Sequence, residues 1–400
     1  MLITIGVIAF VVTLLTSVMI HEWGHFYTAR RFGMKATEFF VGFGPRIWSF
    51  RRGETEYGIK AIPAGGYVRI VGMTDLEEID PADEHRVFYR KPAWQRTIVL
   101  AAGSFMHFVI AIVLFILAPL AFGDVSKGTA TTTVGKVAPC VTANCPPGGK
   151  PSPAQTVGLR AGDQILAFDG RPVTSWDQLT SQIRAAGGRR VDLRIQRDGQ
   201  EMTLSPTLAV RTETNKKDGK TRQYGSLGIH PLHTAPRVGP VEAISGGFAQ
   251  FGSVTVSTFE SLGAIPAAIP KLFGQTFGGA ERAAEDLVGP VGIARASGQI
   301  FDQEQYTLLG RIGWFTSAMA GINLFIGIFN LLPLLPLDGG HLAVVFFERG
   351  RSLVYRALRR PDPGRVDLVK LMPAAYLFLL LIIGLSVLLL AADVVNPINL

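Results

Sequence analysis

The sequence predicts a polytopic α-helical membrane protein with four transmembrane helices, a membrane-associated β-hairpin and an inserted extracytoplasmic α+β domain. Of its 400 residues, 48% are hydrophobic and only 18% are charged, which is little charge for a soluble chain. Four windows are long and apolar enough to cross a bilayer, namely 3–25, 97–122, 308–330 and 373–392. The stretch between the second and third windows has mixed polarity and frequent turns, which is typical of a domain outside the bilayer.

The first window ends in a candidate metal-binding motif, His21-Glu22-Trp23-Gly24-His25. On a helix, His21 and His25 project from one face and can share a zinc ion, and Glu22 is suited to take a proton from water. Alternatively, these residues mark only the point where the helix reaches the membrane surface. Ionisable side chains inside a span cost about 2.5–3.5 kcal/mol each on insertion scales, which favours a functional role. We expect a retained span and not a signal peptide, because no basic residue precedes Arg30.

The basic residues predict the orientation of the spans. Residues 29–96 contain 12 Lys and Arg, and residues 342–371 contain 7 against 3 acidic residues. By the positive-inside rule both segments face the cytoplasm, so both termini and residues 123–307 lie outside. We therefore expect a multi-pass plasma-membrane protein whose metal motif lies toward the cytoplasmic side. The net charge of +8 follows this pattern and gives no indication of nucleic-acid binding.

Residues 36–70 predict the β-hairpin, because aromatic and β-branched residues flank a Gly-containing turn. Gly42 and Gly44 mark an end of the first extended segment, because glycine favours turns. The hairpin edge could hold a substrate strand by β-augmentation, although an ordinary cytoplasmic hairpin has the same pattern. In the second window, His107 is an intramembrane candidate for function, and we favour a hydrogen-bonded packing role for it over metal ligation.

The segment between the second and third windows divides into two parts. Residues 124–230 alternate short strands and turns around one helix, with strands at 164–168, 191–196 and 202–204, a helix at 176–186 and a flexible insertion at 209–222. In the second part, residues 240–274 are apolar but rich in Gly, Ser and Pro. We favour an amphipathic segment on the outer surface over a fifth span, because an extra crossing would separate the later motif from the two histidines.

Cys140 and Cys145 are the two cysteines of the chain, and both lie in the segment predicted to be outside. An oxidising compartment permits a disulfide between them. Two free thiols in a Pro- and Gly-rich loop are the alternative, and we favour the disulfide.

The third window ends in a helix break followed by an acidic residue. Pro333 and Pro336 interrupt the helix that ends near Asn330, and Asp338 follows at membrane depth, where a lone carboxylate requires a cation. The predicted topology brings this motif to the same side as the two histidines. Asp338 would then complete a three-ligand zinc site with one open position, as hydrolysis requires. His341 is the alternative third ligand.

These motifs together resemble the site-2 protease family of intramembrane zinc proteases, most closely the bacterial members that cleave anti-sigma factors. The resemblance implies zinc ligands His21, His25 and Asp338, with Glu22 as the catalytic base. The later motif matches the family pattern NxxPxxxxDG, which implies substrate contacts at Asn330 and the two prolines, and Gly289-Pro290-Val291-Gly292 matches a recurrent segment. Two departures are His107, where many members have asparagine, and the spacing of the prolines.

Residues 124–230 resemble a circularly permuted bacterial PDZ domain, in which Leu227-Gly228-Ile229 matches the loop that caps the peptide groove. The domain boundaries implied are an N-terminal membrane domain at 1–123, the PDZ domain at 124–230, a membrane-surface linker at 231–307 and a C-terminal membrane domain at 308–400.

We therefore expect a Zn²⁺-dependent endopeptidase that cleaves single-span membrane proteins such as anti-sigma factors after a first extracytoplasmic cut. A membrane-anchored PDZ adaptor with an inactive metal site is the main alternative. The intact histidine, glutamate and aspartate set argues against the adaptor. A transporter is a third hypothesis, which the absence of an inverted repeat disfavours.

Overall fold

The structure is a computed structural model, which describes residues 2–73, 79–141, 145, 149–214, 221–283 and 286–398. The chain divides into two compact units. The membrane unit comprises residues 1–117, 241–300 and 315–400, and the inserted unit comprises residues 118–240 and 301–314.

Helices form most of the membrane unit, and four of the described helices are long and apolar enough to cross a membrane. These four spans are Leu2–Arg31, Ala93–Phe122, Leu308–Asn330 and Leu368–Val395, which confirms the four predicted windows. The helices are α1 (Leu2–Arg31), α2 (Ala93–Leu117), α5 (Pro240–Phe277), α6 (Pro290–Asp302), α7 (Leu308–Asn330), α8 (Asp338–Ala357) and α9 (Met372–Val395).

The predicted hairpin is present, and it folds back on itself into four short strands. Strands β1 (Ala36–Arg52) and β2 (Thr55–Ile70) are antiparallel. Residues 36–41 pair with residues 66–70 on one side and with residues 56–59 on the other. Residues 46–52 in turn pair with residues 55–60. Its exposed apolar side chains fit a membrane-associated element, and they include Phe43, Ile47, Trp48, Phe50, Ile59 and Ile62.

Gly42 makes the fold-back of β1 possible. Its φ is +83°, and a Cβ atom there would lie 2.6 Å from the carbonyl oxygen of Ile62. Gly44 also has a positive φ, of +81°. A positive φ is strained for residues that carry a Cβ atom, so the backbone favours glycine at both positions, whether or not they contact substrate.

The membrane unit has two apolar clusters. One joins the end of α1 to β2, α2 and α8 through buried residues such as Ala29, Ile70, Leu100 and Val345. The other joins α2 to α7 through Ala111, Phe115, Ala320 and Leu324. These clusters bring the carboxyl-terminal part of α1 and the first turns of α8 to the same region as α2.

Among its described residues, the inserted unit has a six-stranded sheet, two α-helices and an extra hairpin. Its sheet order is β10-β3-β4-β6-β7, and β5 pairs with β4, while β8 and β9 pair with each other. A buried core that includes Val134, Ile165, Leu179, Leu193 and Ile195 joins the sheet to α4. The elements are β3 (Thr129–Val137), α3 (Pro153–Thr156), β4 (Gln164–Phe168), β5 (Arg171–Pro172), α4 (Trp176–Ala185), β6 (Leu193–Arg197), β7 (Gln200–Leu204), β8 (Ala209–Thr214), β9 (Thr221–Ser226) and β10 (Ile229–Thr234).

Most elements predicted for this unit are present, with one correction. The flexible insertion predicted at 209–222 is wrong for its described residues, because 209–214 and 221–222 belong to the paired strands β8 and β9. Residues 215–220 of that prediction lie outside the described residues. Strand β10 also runs past the predicted boundary at residue 230, since its pairing with β3 continues to Thr234.

Two other predicted segments have defined structure. Cys140 and Cys145 are joined as a disulfide, with Cα atoms 5.4 Å apart. The apolar segment at 240–274 lies within α5, which contains Pro266 and Pro270 and is not one of the four candidate spans. Its location on the outer membrane surface stays a prediction.

Candidate metal centre

Three side chains from two distant parts of the chain converge on one point. The Nε2 atoms of His21 and His25 lie 3.1 Å apart, and Oδ2 of Asp338 lies 3.3 Å from the first and 3.2 Å from the second. Ligand atoms around a tetrahedral zinc ion with bonds of about 2.0 Å are separated by about 3.3 Å. The three atoms therefore have the spacing of three corners of a zinc tetrahedron, and the group could hold a metal ion.

A hydrogen bond fixes the lone pair of His25 toward this point. Nδ1 of His25 lies 2.7 Å from the carbonyl oxygen of Val99, which can only accept, so Nδ1 carries a proton and Nε2 of the neutral ring presents its lone pair. Both imidazoles are buried, and Oδ2 of Asp338 has no hydrogen-bond donor. A lone pair and a carboxylate facing each other in a buried site repel unless a cation lies between them. The residues present thus fit a zinc ion.

Glu22 lies beside this cluster, one position after His21 on α1. The backbone N–H of Val68, in β2, lies close to its carboxylate. Strand residue Gly66 also approaches closely, because a Cβ atom there would lie 3.4 Å from Cγ of Glu22. The carboxylate therefore lies next to β2, and it is not one of the three converging groups.

Gly103 on α2 packs directly against the two imidazoles. A Cβ atom at this position would lie 2.3 Å from Nε2 of His25 and 2.5 Å from Cε1 of His21. Real Cβ atoms do not approach so closely, because atoms of this size make contact at about 3.5–4.0 Å. Glycine at 103 therefore permits the close packing of α2 on the metal-binding face of α1.

His107, one turn further along α2, has a different partner. Its Nδ1 donates to Oδ1 of Asn323 at 2.8 Å, and the Asn323 amide donates to the carbonyl of Met319 at 2.9 Å. The His107 ring lies 5.0 Å from the His21 ring between centroids. This hydrogen-bonded arrangement matches the role favoured from the sequence.

His341, the alternative third ligand, is not part of the converging group. It lines a small cavity together with Arg96 and Glu348, whose side chains form an ion pair at 2.9 Å. Burial lowers the pKa of His341 below its ordinary value, so the imidazole is neutral at neutral pH. Of the two candidates, Asp338 is the one whose side chain approaches the histidines.

The predicted substrate-contact residues near α8 lie in one turn. Asn330 is the last residue of α7, and Pro333 and Pro336 fall in the irregular segment between α7 and α8. The Leu335–Pro336 peptide bond is cis. This segment leads directly into Asp338, the first residue of α8.

The predicted peptide-groove residues lie in the inserted unit. Leu227, Gly228 and Ile229 border a cleft of about 510 Å³ between the start of β10 and α4. Leu227 is 2% exposed and belongs to the core, whereas Ile229 is half-buried. Two basic side chains, Arg184 and Arg211, also line the cleft, and no acidic residue does among those described.

Sequence reasoning missed four contributors to the metal centre. Asn323 carried a usable signal, because it is a polar residue inside an apolar span, which is the criterion that selected His107. The Val99 carbonyl and the Val68 N–H are backbone groups, so no residue type marks them. Gly103 is one of several glycines in apolar spans, and its steric role depends on how two helices pack.

Comparison with known proteins supports a protease. The sequence matches the family described as "Peptidase family M50" over residues 9–359. Zinc metalloprotease Rip1 of Mycobacterium tuberculosis (strain ATCC 25618 / H37Rv) is 36% identical over 410 aligned positions, which cover 100% of both chains. Zinc metalloprotease Rip1 of Mycolicibacterium smegmatis is 35% identical over 414 positions, which cover 100% of this chain and 99% of the relative.

Proposed function

Because the chain belongs to peptidase family M50 and is a membrane-embedded zinc metalloprotease, we propose that His21, His25 and Asp338 hold its zinc ion and that Glu22 is the catalytic base. The observation that carries this assignment is the convergence of two imidazole nitrogens and one carboxylate oxygen with tetrahedral spacing. Three protein ligands leave one position open, which is the arrangement of a catalytic zinc site.

Zinc bound there supplies a Lewis acid for the scissile carbonyl and makes water a nucleophile at neutral pH. Glu22 accepts the proton of the attacking water and returns it to the leaving amine nitrogen. The neighbouring Val68 N–H would help to hold the Glu22 carboxylate in place for both transfers. The hydrogen bond from His25 to Val99 maintains the tautomer that a zinc ligand requires.

A substrate must be extended at the cleaved bond, because a helical backbone shields its carbonyls. Among the described strands, residues 66–70 of β2 pair with β1 along one edge, and Val68 in this stretch lies close to Glu22. We therefore propose that the substrate adds as a strand beside residues 66–70. Asn330, Pro333 and Pro336 would contact it from the opposite side, and Gly42 and Gly44 would act by shaping the sheet.

The proposed substrates are single-span membrane proteins, such as anti-sigma factors, that another protease has already cut outside the cell. The inserted unit is proposed to be an extracytoplasmic PDZ domain, with the metal centre toward the cytoplasmic side. Its strand order and its cleft between β10 and α4 support the comparison with a PDZ domain. The basic distribution in the sequence supports the orientation.

Glu22→Gln tests the assignment of the base. The variant should retain zinc, since Glu22 is not a ligand, and should lose cleavage by at least about 100-fold, the usual contribution of a general base. Glu260→Gln on α5, which removes an exposed carboxylate, is the matched control. Cleavage by Glu22→Gln at the control rate would contradict the mechanism. Comparison of membrane proteomes of the two strains would identify substrates as membrane stubs that accumulate.

A size gate is the proposed role of the inserted unit, since zinc chemistry uses none of its residues. The backbone N–H of Asp124 donates to the carbonyl of Pro236 at 2.8 Å, so the two ends of this unit are adjacent. Replacing residues 125–235 with a short Gly-Ser linker should preserve hydrolysis of a short membrane peptide and permit cleavage of untrimmed substrate. Loss of peptide hydrolysis in a variant that still binds zinc would refute the gate.

Peptide recognition is a second way in which this unit could select substrates, and a point change separates the two. Ile229→Lys alters the cleft, whereas Leu227 is a core residue whose replacement would also destabilise the fold. Thr203→Lys, on the exposed face of β7, adds the same charge away from the cleft. A size gate predicts equal cleavage by both variants, and peptide recognition predicts a change only with Ile229→Lys.

A further inference from the structure

A second cleft, separate from the metal-binding group, lies between the end of α1 and the β1–β2 sheet. Its volume is about 450 Å³. Trp23, Phe26 and Arg30 contribute to it from α1 at helical spacing, so they share one face of the helix. The sheet contributes Phe39, Phe50, Arg52 and Tyr57.

The floor of this cleft is aromatic. The Phe26 ring lies 5.3 Å from Phe39 and 5.8 Å from Tyr57, and Tyr57 stacks on Phe50 at 5.4 Å. Phe50 is also 47% exposed, so a large part of this apolar surface is not covered by the protein. An apolar surface of this kind at a membrane-facing site is favourable for a hydrocarbon chain.

The charged residues of the cleft are both basic. Among the residues that the structure describes, no acidic side chain lines the cleft, and Arg30 and Arg52 form no ion pair. Arg30 instead lies over the Phe26 ring, 5.4 Å from its centre. The nearby Glu54 is already engaged by Arg86 through two hydrogen bonds of 2.7 Å. Among the described residues, the two positive charges beside the apolar floor therefore have no salt bridge, and Glu54 attracts Arg30 only at longer range.

The cleft also lies at the end of a membrane span, which determines what it meets. Arg30 and Arg31 are in the last turn of α1. The exposed ring of Tyr27 lies about one turn before them and that of Trp23 about two turns before them, and the two rings stack with their centres 5.1 Å apart. Aromatic and basic residues in this order mark the level of the lipid head groups. Basic pockets at this level recognise phosphate head groups.

We propose that this cleft binds an anionic phospholipid, with the phosphate between Arg30 and Arg52 and an acyl chain on the aromatic floor. The proposal does not depend on the assignment of zinc ligands or base. A lipid here would brace the β1–β2 sheet against α1 on the side of the helix next to Glu22.

The test measures phospholipid retained by the full-length protein. Purified protein in detergent is titrated with phosphatidylglycerol or phosphatidylcholine at fixed ionic strength, and bound lipid is counted by native mass spectrometry. Arg30→Gln combined with Arg52→Gln should weaken phosphatidylglycerol binding about 30-fold, or about fivefold for each arginine. Arg31→Gln combined with Arg51→Gln is the matched control, because it removes the same charge from exposed positions on the same two elements that do not line the cleft.

Each outcome of this titration either supports the lipid site or overturns it. The proposal is supported if only the Arg30→Gln, Arg52→Gln variant loses phosphatidylglycerol binding, while its zinc content is unchanged and all variants bind phosphatidylcholine weakly. Equal loss in both double variants would show general attraction to basic residues and would overturn it. Displacement of phosphatidylglycerol by inorganic phosphate at equal concentration would assign the site to free phosphate. The Arg30→Gln, Arg52→Gln variant could also retain lipid normally and lose only the cleavage of substrates that carry acidic residues beside their span. That result would make the cleft a peptide site, and the proposal would be wrong.

Discussion

Gly103→Ala is the perturbation that tests the metal centre most directly without changing a ligand. The added Cβ atom would lie 2.3 Å from Nε2 of His25 and 2.7 Å from Nδ1 of His21. Since unstrained contacts begin at about 3.5 Å, one methyl group requires a displacement of about 1 Å in α2 or in both imidazoles. Functional zinc–ligand distances vary by only about 0.2 Å, so this displacement cannot be absorbed without weakening the site.

The expected size of the effect follows from this displacement. Changes in residues that only orient zinc ligands typically cost about 10–100-fold in affinity. We expect Gly103→Ala to weaken zinc binding by about 100-fold, at the upper end of this range, because it displaces two ligands together. The measurement is zinc retained against a competing chelator, with cleavage of a membrane peptide measured in parallel.

Gly321→Ala is the control for this experiment. It makes the same chemical change within another membrane span, α7, where a Cβ atom would meet nothing within 4 Å. Alanine also has a higher helix propensity than glycine in both helices, so any general stabilisation appears in both variants. If Gly103→Ala binds zinc and cleaves as Gly321→Ala does, the close packing of α2 on the two histidines is wrong.

The third zinc ligand and a buried carboxylate of the inserted unit can each be tested by one substitution. Asp338→Ala should weaken zinc binding by more than about 100-fold, since it removes a ligand and not only an orienting group, whereas His341→Ala should retain zinc. Metal analysis of the two purified variants measures this, and the reverse result would make His341 the third ligand. In the inserted unit, burial alone would raise the pKa of Asp163, but hydrogen bonds from Arg197 at 2.7 Å and from the Arg160 N–H at 2.7 Å hold that pKa below its ordinary value. A lowered folded-state pKa stabilises the fold above the unfolded pKa of about 3.9, and the contribution is lost as the pH falls through the folded-state value. Asp163→Asn should therefore lower the melting temperature at pH 7, and the difference from wild type should shrink below about pH 4; a difference that is constant with pH would contradict this account.

The metal motif could be predicted from sequence because its information is local. Two histidines four positions apart on one helix share a face whatever the rest of the chain does. Asp338 required a longer argument, in which the proline-broken helix and the count of membrane crossings brought it to the same side. Hydrophobic windows, charge and the two prolines were enough to place Asp338 beside the histidines without any contact information.

The sheet illustrates what local patterns do not contain. The pattern of residues 36–70 specifies a turn and two extended segments, and both are present. It does not specify that residues 36–41 pair on both sides, because that pairing depends on the backbone bend at Gly42 against Ile62. The contact between Val68 and Glu22 depends in turn on this bend, since it brings the last stretch of β2 beside α1.

The proposed zinc site couples chemistry to the packing of the membrane unit. The two histidine nitrogens and the Asp338 oxygen lie within 3.3 Å of one another on α1 and α8, which are separated by more than 300 residues in sequence. In a buried setting, lone pairs and a carboxylate this close repel one another, and a divalent cation converts the repulsion into attraction. Binding free energy at such a site is also folding free energy, because the unfolded chain does not bring these groups together. On the proposed assignment, zinc therefore stabilises the association of α1 with α8, and the His25–Val99 hydrogen bond and the Gly103 contact tie α2 to the same centre.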